Sequence, residues 1–133
     1  MPTVAYNKFQ PGVEGLVEGV NLQTDSFAIK LASAVTASTG AITEVANGNG
    51  YTTGGNSVGV NSTGAHSAGT YSCTLANPTA WTASGAVGPF QYAVLTDTTA
   101  GVNMGYWDYG TPISLATGDT FTFTFSGVAF TVA

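Results

Sequence analysis

Residues 118–132 read Gly118-Asp119-Thr120-Phe121-Thr122-Phe123-Thr124-Phe125-Ser126-Gly127-Val128-Ala129-Phe130-Thr131-Val132. Phe121, Phe123 and Phe125 alternate with Thr122, Thr124 and Ser126. Successive side chains of a β-strand point to opposite faces, so this period of two predicts a strand with a phenylalanine face and a hydroxyl face. Gly118-Asp119 turns the chain into it. Gly127 predicts a bulge, after which Val128, Phe130 and Val132 continue in a shifted register. The spacing predicts one strand over 120–132.

Similar signals recur outward from that segment. Phe27, Ile29 and Leu31 alternate with Ala28 and Lys30 in a strand over 26–33. Ser57–Val60 predicts a short strand, and Asn77-Pro78 separates strands over 70–75 and 79–84. Phe90, Tyr92 and Val94 alternate in the next strand, and residues 102–109 form another. Gly48-Asn49-Gly50 is a turn. Residues 34–41 read as a small-residue loop, 42–45 as one helical turn, and 62–69 as an exposed Gly/Ser/Thr loop. Near the N-terminus, Phe9, Val13, Leu16, Val17 and Val20 recur at helical spacing, with Pro11 suited to a first turn. Gly12, Gly15 and Gly19 weaken that helix, so packing must hold it, and they leave a flank where another backbone can come close. The expectation is an all-β single domain over 1–133: a helical segment about 5–20, then an antiparallel β-sandwich over about 24–133 with about seven or eight strands.

Charge narrows the function. Only 7% of the 133 residues are charged, against about 25% in an ordinary domain. Lys8 and Lys30 are the only basic residues besides His66, against seven acids, giving a net charge of −5. A nucleic-acid module needs several cations to displace counterions from phosphates, and a polybasic membrane binder needs them too, so both classes are excluded. No stretch approaches the roughly 20 apolar residues of a membrane span. Met1–Val20 lacks a charged region followed by an apolar run, so no signal peptide is expected. Hydrophobic residues make up 44%, which is too many for a disordered chain. The remaining polar surface is threonine, serine, asparagine and glycine. Its strand edges lack the lysines that commonly deter edge-to-edge pairing, so neighbouring chains are expected to cover them.

Residues able to carry chemistry are sparse. His66 stands among small polar residues with no acid nearby, which gives no catalytic triad. Cys73 lies within a strand and reads as a small buried hydrophobe. Asp97, Asp108 and Asp119 come from separate turns or strand ends and could converge on a cation only through the fold, because their spacing is not that of a calcium loop. Tyr106, Trp107 and Tyr109 offer a sugar-stacking platform or a protein hot spot, or else core plus one exposed aromatic. Alternation places Tyr106 opposite Trp107. No cofactor motif is present.

A resemblance adds to this reading. Gly88-Pro89-Phe90-Gln91-Tyr92-Ala93-Val94-Leu95 is followed by Gly105-Tyr106-Trp107-Asp108-Tyr109-Gly110. Upstream stand Ala5-Tyr6-Asn7-Lys8-Phe9, Ile42-Thr43-Glu44 and Gly48-Asn49-Gly50-Tyr51, and Gly118-Asp119-Thr120-Phe121 follows. In order and spacing these motifs resemble small virion proteins of tailed bacteriophages, of the capsid-decoration (cement) type. The resemblance implies a non-enzymatic β-sandwich made in the host cytoplasm, which binds the outside of the shell formed by the major capsid protein. It brings no catalytic residues and no cofactor. A homo-oligomer, taken as a trimer at three-fold positions, is expected, with docking through Lys8 and Phe9 and an anchor at Tyr106 or Trp107. The competing expectation is a tail or receptor-binding module for a host surface glycan.

Overall fold

The computed structural model describes residues 5–60, 65–125 and 129–132. Its centre is a long antiparallel hairpin, β8 (Val87–Asp97) and β9 (Val102–Leu115). The hairpin sits in a six-stranded sheet with β1 (Tyr6–Lys8), β2 (Ser26–Thr36), β3 (Ala41–Glu44) and β4 (Asn56–Val60), in the order β1-β9-β8-β2-β3. β3 and β4 share the far edge of β2: β3 pairs with its C-terminal part and β4 with its N-terminal part. Two small antiparallel sheets complete the fold. One is β11-β6-β5, made of β5 (Ala65–Ser67), β6 (Thr70–Cys73) and β11 (Phe130–Val132). The other joins β7 (Trp81–Thr82) to β10 (Thr120–Phe121).

Alternation explains why the layers meet. Phe27, Ile29 and Leu31 of β2, Ala93 and Leu95 of β8, and Trp107 of β9 point to one face of the large sheet. They pack in a single core with Cys73, Trp81, Phe121, Phe123, Phe125 and Phe130 from the opposing layer. Aromatic rings meet there mostly edge to face, such as Trp107 with Phe123 at 4.9 Å and Phe90 with Phe121 at 4.9 Å, the preferred geometry for ring quadrupoles. The opposite face of the sheet carries a smaller cluster of Phe9, Ala32 and Val94, bordered by Tyr92 and Tyr106. The all-β antiparallel class with a short helix holds.

Several local expectations are corrected. The segment 34–41 is not a loop: β2 passes through a bulge between Ala32 and Ala34 and continues to Thr36, and a tight turn leads into β3. The window 42–45 is not a helical turn but part of β3, because the open edge of β2 supplies hydrogen bonds that four residues cannot make alone. Within 62–69, Ala65–Ser67 is strand β5, in a hairpin with β6 through Ala68 and Gly69, both at positive φ; residues 62–64 lie outside the described residues. The strand over 79–84 contracts to Trp81–Thr82.

The 120–132 strand is interrupted. Phe121, Phe123 and Phe125 are buried as the alternation demands, but among the described residues of this segment only 120–121 and 130–132 join sheets. The backbone N–H of Phe125 donates instead to Asn77 Oδ1 at 2.9 Å. The bulge expected at Gly127 lies outside the described residues. The 120–132 segment contributes two separate strands, and β1, β3 and β5 form where a helical segment, a helical turn and a loop were expected, so eleven strands stand among the described residues where seven or eight were expected.

Candidate docking surface

The N-terminal segment is held by β9 and by the β2–β3 hairpin. β1 pairs antiparallel with β9, Tyr6 opposite Trp107 and Lys8 opposite Gly105. Tyr6 lies over Gly105, where a Cβ would overlap its ring. The same ring meets Trp107 at 5.1 Å and stacks on Phe130 at 5.5 Å, so β1 bridges the large sheet and β11. Burial pushes the Tyr6 hydroxyl well above its ordinary range.

Helix α1 (Gln10–Glu18) follows at once. The Phe9 N–H donates to the Met104 carbonyl at 3.0 Å and the Gln10 N–H to the Ala37 carbonyl at 2.9 Å. Gly12 is the point of closest approach to β9, since a Cβ there would stand 2.6 Å from the Met104 carbonyl oxygen. Of the three glycines only Gly12 admits a neighbouring backbone, that of β9 in the same chain; Gly15 meets the Val20 and Val102 side chains and Gly19 meets nothing.

The apolar stripe of the helix divides. Phe9 crosses to the outer face of the sheet and is fully buried, its ring 5.0 Å from Tyr106. Leu16 and Val20 are half-buried against the main core. Val13 and Val17 point outward, 41% and 85% exposed. Beside the helix a shallow groove is lined by Leu16, Val20, Asn21, Leu22, Tyr71 and Val132. A second hollow continues it past Val13 to Phe130 and Tyr6, with Lys8 at its lip. The exposed helix face and the two hollows form one apolar strip flanked by the acids Glu14 and Glu18 and the single cation Lys8.

The expected interface residues therefore part company. Lys8 is exposed on this strip. Phe9 and Trp107 are interior, so the expectations that Phe9 docks and that Trp107 is an anchor are corrected; their ring area is consumed by the protein's own two clusters. Tyr106 does lie opposite Trp107, half-buried on the outer face. Val13 and Val17 were missed, because a periodic stripe reads as core unless one knows that Gly12 is the residue turned to the sheet.

The outer face carries a second, more polar feature. Tyr106 meets Tyr92 at 5.8 Å, edge to face. Asp108 stands opposite Tyr92 in the ladder, and its Oδ1 accepts from Gln91 Nε2 at 2.9 Å and from the Gly110 N–H at 2.8 Å. Burial, then the Asp108 and Tyr106 charges, raise the Tyr92 hydroxyl.

The three aspartates do not converge. Asp97 ends β8 and Asp108 faces Tyr92, so the two are separated by five residues of strand, about 17 Å. Asp119 closes a different turn, its Oδ2 accepting from the Ala116 N–H at 2.9 Å. No group of three or more His, Cys, Asp or Glu able to hold a metal stands among the described residues. His66 is exposed on β5 opposite Tyr71. Cys73 is fully buried, and burial pushes its thiol up to about 12. No helix among the described residues is long and apolar enough to cross a membrane.

Comparisons with protein families, with curated proteins and with solved structures found no match. The apolar strip on α1 and the tyrosine patch on the outer face therefore carry the functional reading.

Proposed function

We propose that this protein is a phage capsid decoration protein, a non-enzymatic module that binds the outside of the shell through the apolar strip on α1 and self-associates as a trimer at three-fold positions. The observation that supports this reading is Val17, 85% exposed on α1, with Val13, 41% exposed, at the edge of the hollow beside it. An unpaired aliphatic side chain over a groove gains roughly 1.5–3 kcal/mol when a partner covers it. Many symmetric sites multiply such modest contacts, and bound copies stabilise the assembled shell by mass action. The sequence resemblance to cement proteins selects the major capsid protein as the partner.

The test is co-sedimentation with undecorated shells. Stoichiometric binding, lost in a Val13→Ser/Val17→Ser double variant that folds normally, is the expected result. Absence of binding to shells overturns the reading.

The second reading, a tail or receptor-binding module for a host glycan, is favoured by Tyr92, Tyr106 and Asp108 standing together on the outer face. Aromatic faces beside a carboxylate suit a sugar ring. Binding on a glycan array that Tyr106→Ala abolishes, with no affinity for shells, selects it.

A further inference from the structure

Two acids stand near each other at one end of the large sheet, with no cation between them among the described residues. Asp97 ends β8 and is fully buried; Asp25 precedes β2 and is nearly so. Each organises its own turn. Asp97 Oδ1 accepts from the Thr99 and Ala100 N–H groups at 2.9 and 2.8 Å. Asp25 Oδ2 accepts from the Asn21 N–H at 3.0 Å. Thr98 N–H and the Thr98 hydroxyl both donate to the Ser26 carbonyl, and the Ser26 N–H donates to Thr99 Oγ1, so the two turns are sewn together around the acids.

Asp97 Oδ2 has no hydrogen-bond partner although it is buried. An unpaired buried carboxylate oxygen costs far more than the same group in water. Two ionised carboxylates offer each other no donor, whereas one protonated carboxyl supplies the missing hydrogen bond. We propose that Asp25 and Asp97 share one proton, and that this proton clamps the turn before β2 to the β8–β9 turn.

Among the described residues no cation is placed against the pair. The turn over 98–101 is Thr-Thr-Ala-Gly, and β9 begins with the uncharged Val102 and Asn103 opposite. Asp25 is the charged group acting on Asp97. Burial, then the hydrogen bond and charge of Asp25, raise Asp97 to about 6 in spite of the Ala100 and Thr99 N–H groups, which pull it down. The folded molecule therefore prefers the protonated pair. The proton's contribution is complete below the ordinary carboxylate range near pH 4 and is lost as pH rises through about 6. Above that the shared proton is gone and the clamp loosens.

Asp25→Asn tests this, because its amide donates to Asp97 Oδ2 at every pH. Melting temperatures of the full chain are compared at constant ionic strength. The variant should match the wild type near pH 4 and exceed it by at least about 3 °C near pH 7.5. Parallel curves for the two proteins overturn the proposal. On the wild type alone, carboxyl carbon NMR should show Asp97 titrating near 6; titration of Asp97 below about 4.5 overturns it. Millimolar calcium at the higher pH should leave the wild-type melting temperature unchanged. A rise that Asp25→Asn lacks would place a divalent cation where the proton is proposed and would also overturn it.

Discussion

The side-chain amide of Asn103 donates to the carbonyl of Gly40 at 2.8 Å, tying the start of β9 to the tip of the β2–β3 hairpin. Pro11 packs against the same glycine, and Gln10 donates to Ala37 beside it. The hairpin tip, the helix start and the sheet thus meet at one junction over Phe9. Asn103→Ala removes the tie and leaves the Gly40 carbonyl without that donor. The expected loss is about 1–2 kcal/mol in urea unfolding, with faster amide exchange at residues 37–41. Unchanged exchange there would show that the hairpin tip is held by other contacts.

Phe9→Ala and Val17→Ala separate burial from exposure on one helix. Phe9 fills the outer-face cluster completely, so its truncation should lower stability by about 3–5 kcal/mol. Val17 is exposed, and its truncation should change stability by less than about 0.5 kcal/mol. Chemical denaturation of the two variants decides, and similar losses would contradict the division of the stripe.

Gly12→Ala places a methyl group against the Met104 carbonyl. Alanine favours helix by up to about 1 kcal/mol over glycine, yet here the clash should win and the melting temperature should fall. A rise would mean that α1 does not rest on β9 at this point.

Tyr51→Phe removes a hydroxyl that accepts from the Leu31 N–H at 3.1 Å and donates to Glu44 Oε1 at 2.7 Å. Glu44 also receives the Gly54 N–H, so the phenol completes a buried network between β2, β3 and the following turn. Burial, then the hydrogen bond to Glu44, raise that hydroxyl far beyond its usual range, so it remains a neutral donor at any ordinary pH. The variant should lose about 1–3 kcal/mol in thermal or chemical unfolding.

Cys73 should be inert in the native protein. With its thiol pushed up to about 12 and no exposed surface, almost no thiolate exists at neutral pH. A disulfide reagent should label it in denaturant and hardly at all under native conditions.

The pattern of core and surface was legible where a side chain's neighbours are fixed by its own strand. Alternation placed Phe27, Ile29 and Leu31 on one face, Tyr106 opposite Trp107, and Phe121, Phe123 and Phe125 inward. It failed where pairing depends on distant strands. Nothing in residues 42–45 reveals that the edge of β2 stands open beside them, and nothing in Thr122–Phe125 reveals that no ladder awaits them. The docking strip was half legible: the helix could be read, but which of its faces met the sheet depended on Gly12 finding Met104. The Asp25–Asp97 pair was invisible, because 72 positions separate two residues that only the β2–β8 register brings together.

Lys8 stands exposed at the lip of the groove, while Lys30 is half-buried and Cys73 is sealed inside the core. Amine coupling to a sensor chip or a bead would thus favour attachment beside the very strip a partner would need, and thiol coupling would find no handle. A cysteine placed on the exposed β8–β9 turn, at Ala100, whose side chain makes none of the bonds that hold the turn, would tether the molecule by another part of its surface and leave the helix free for measurement.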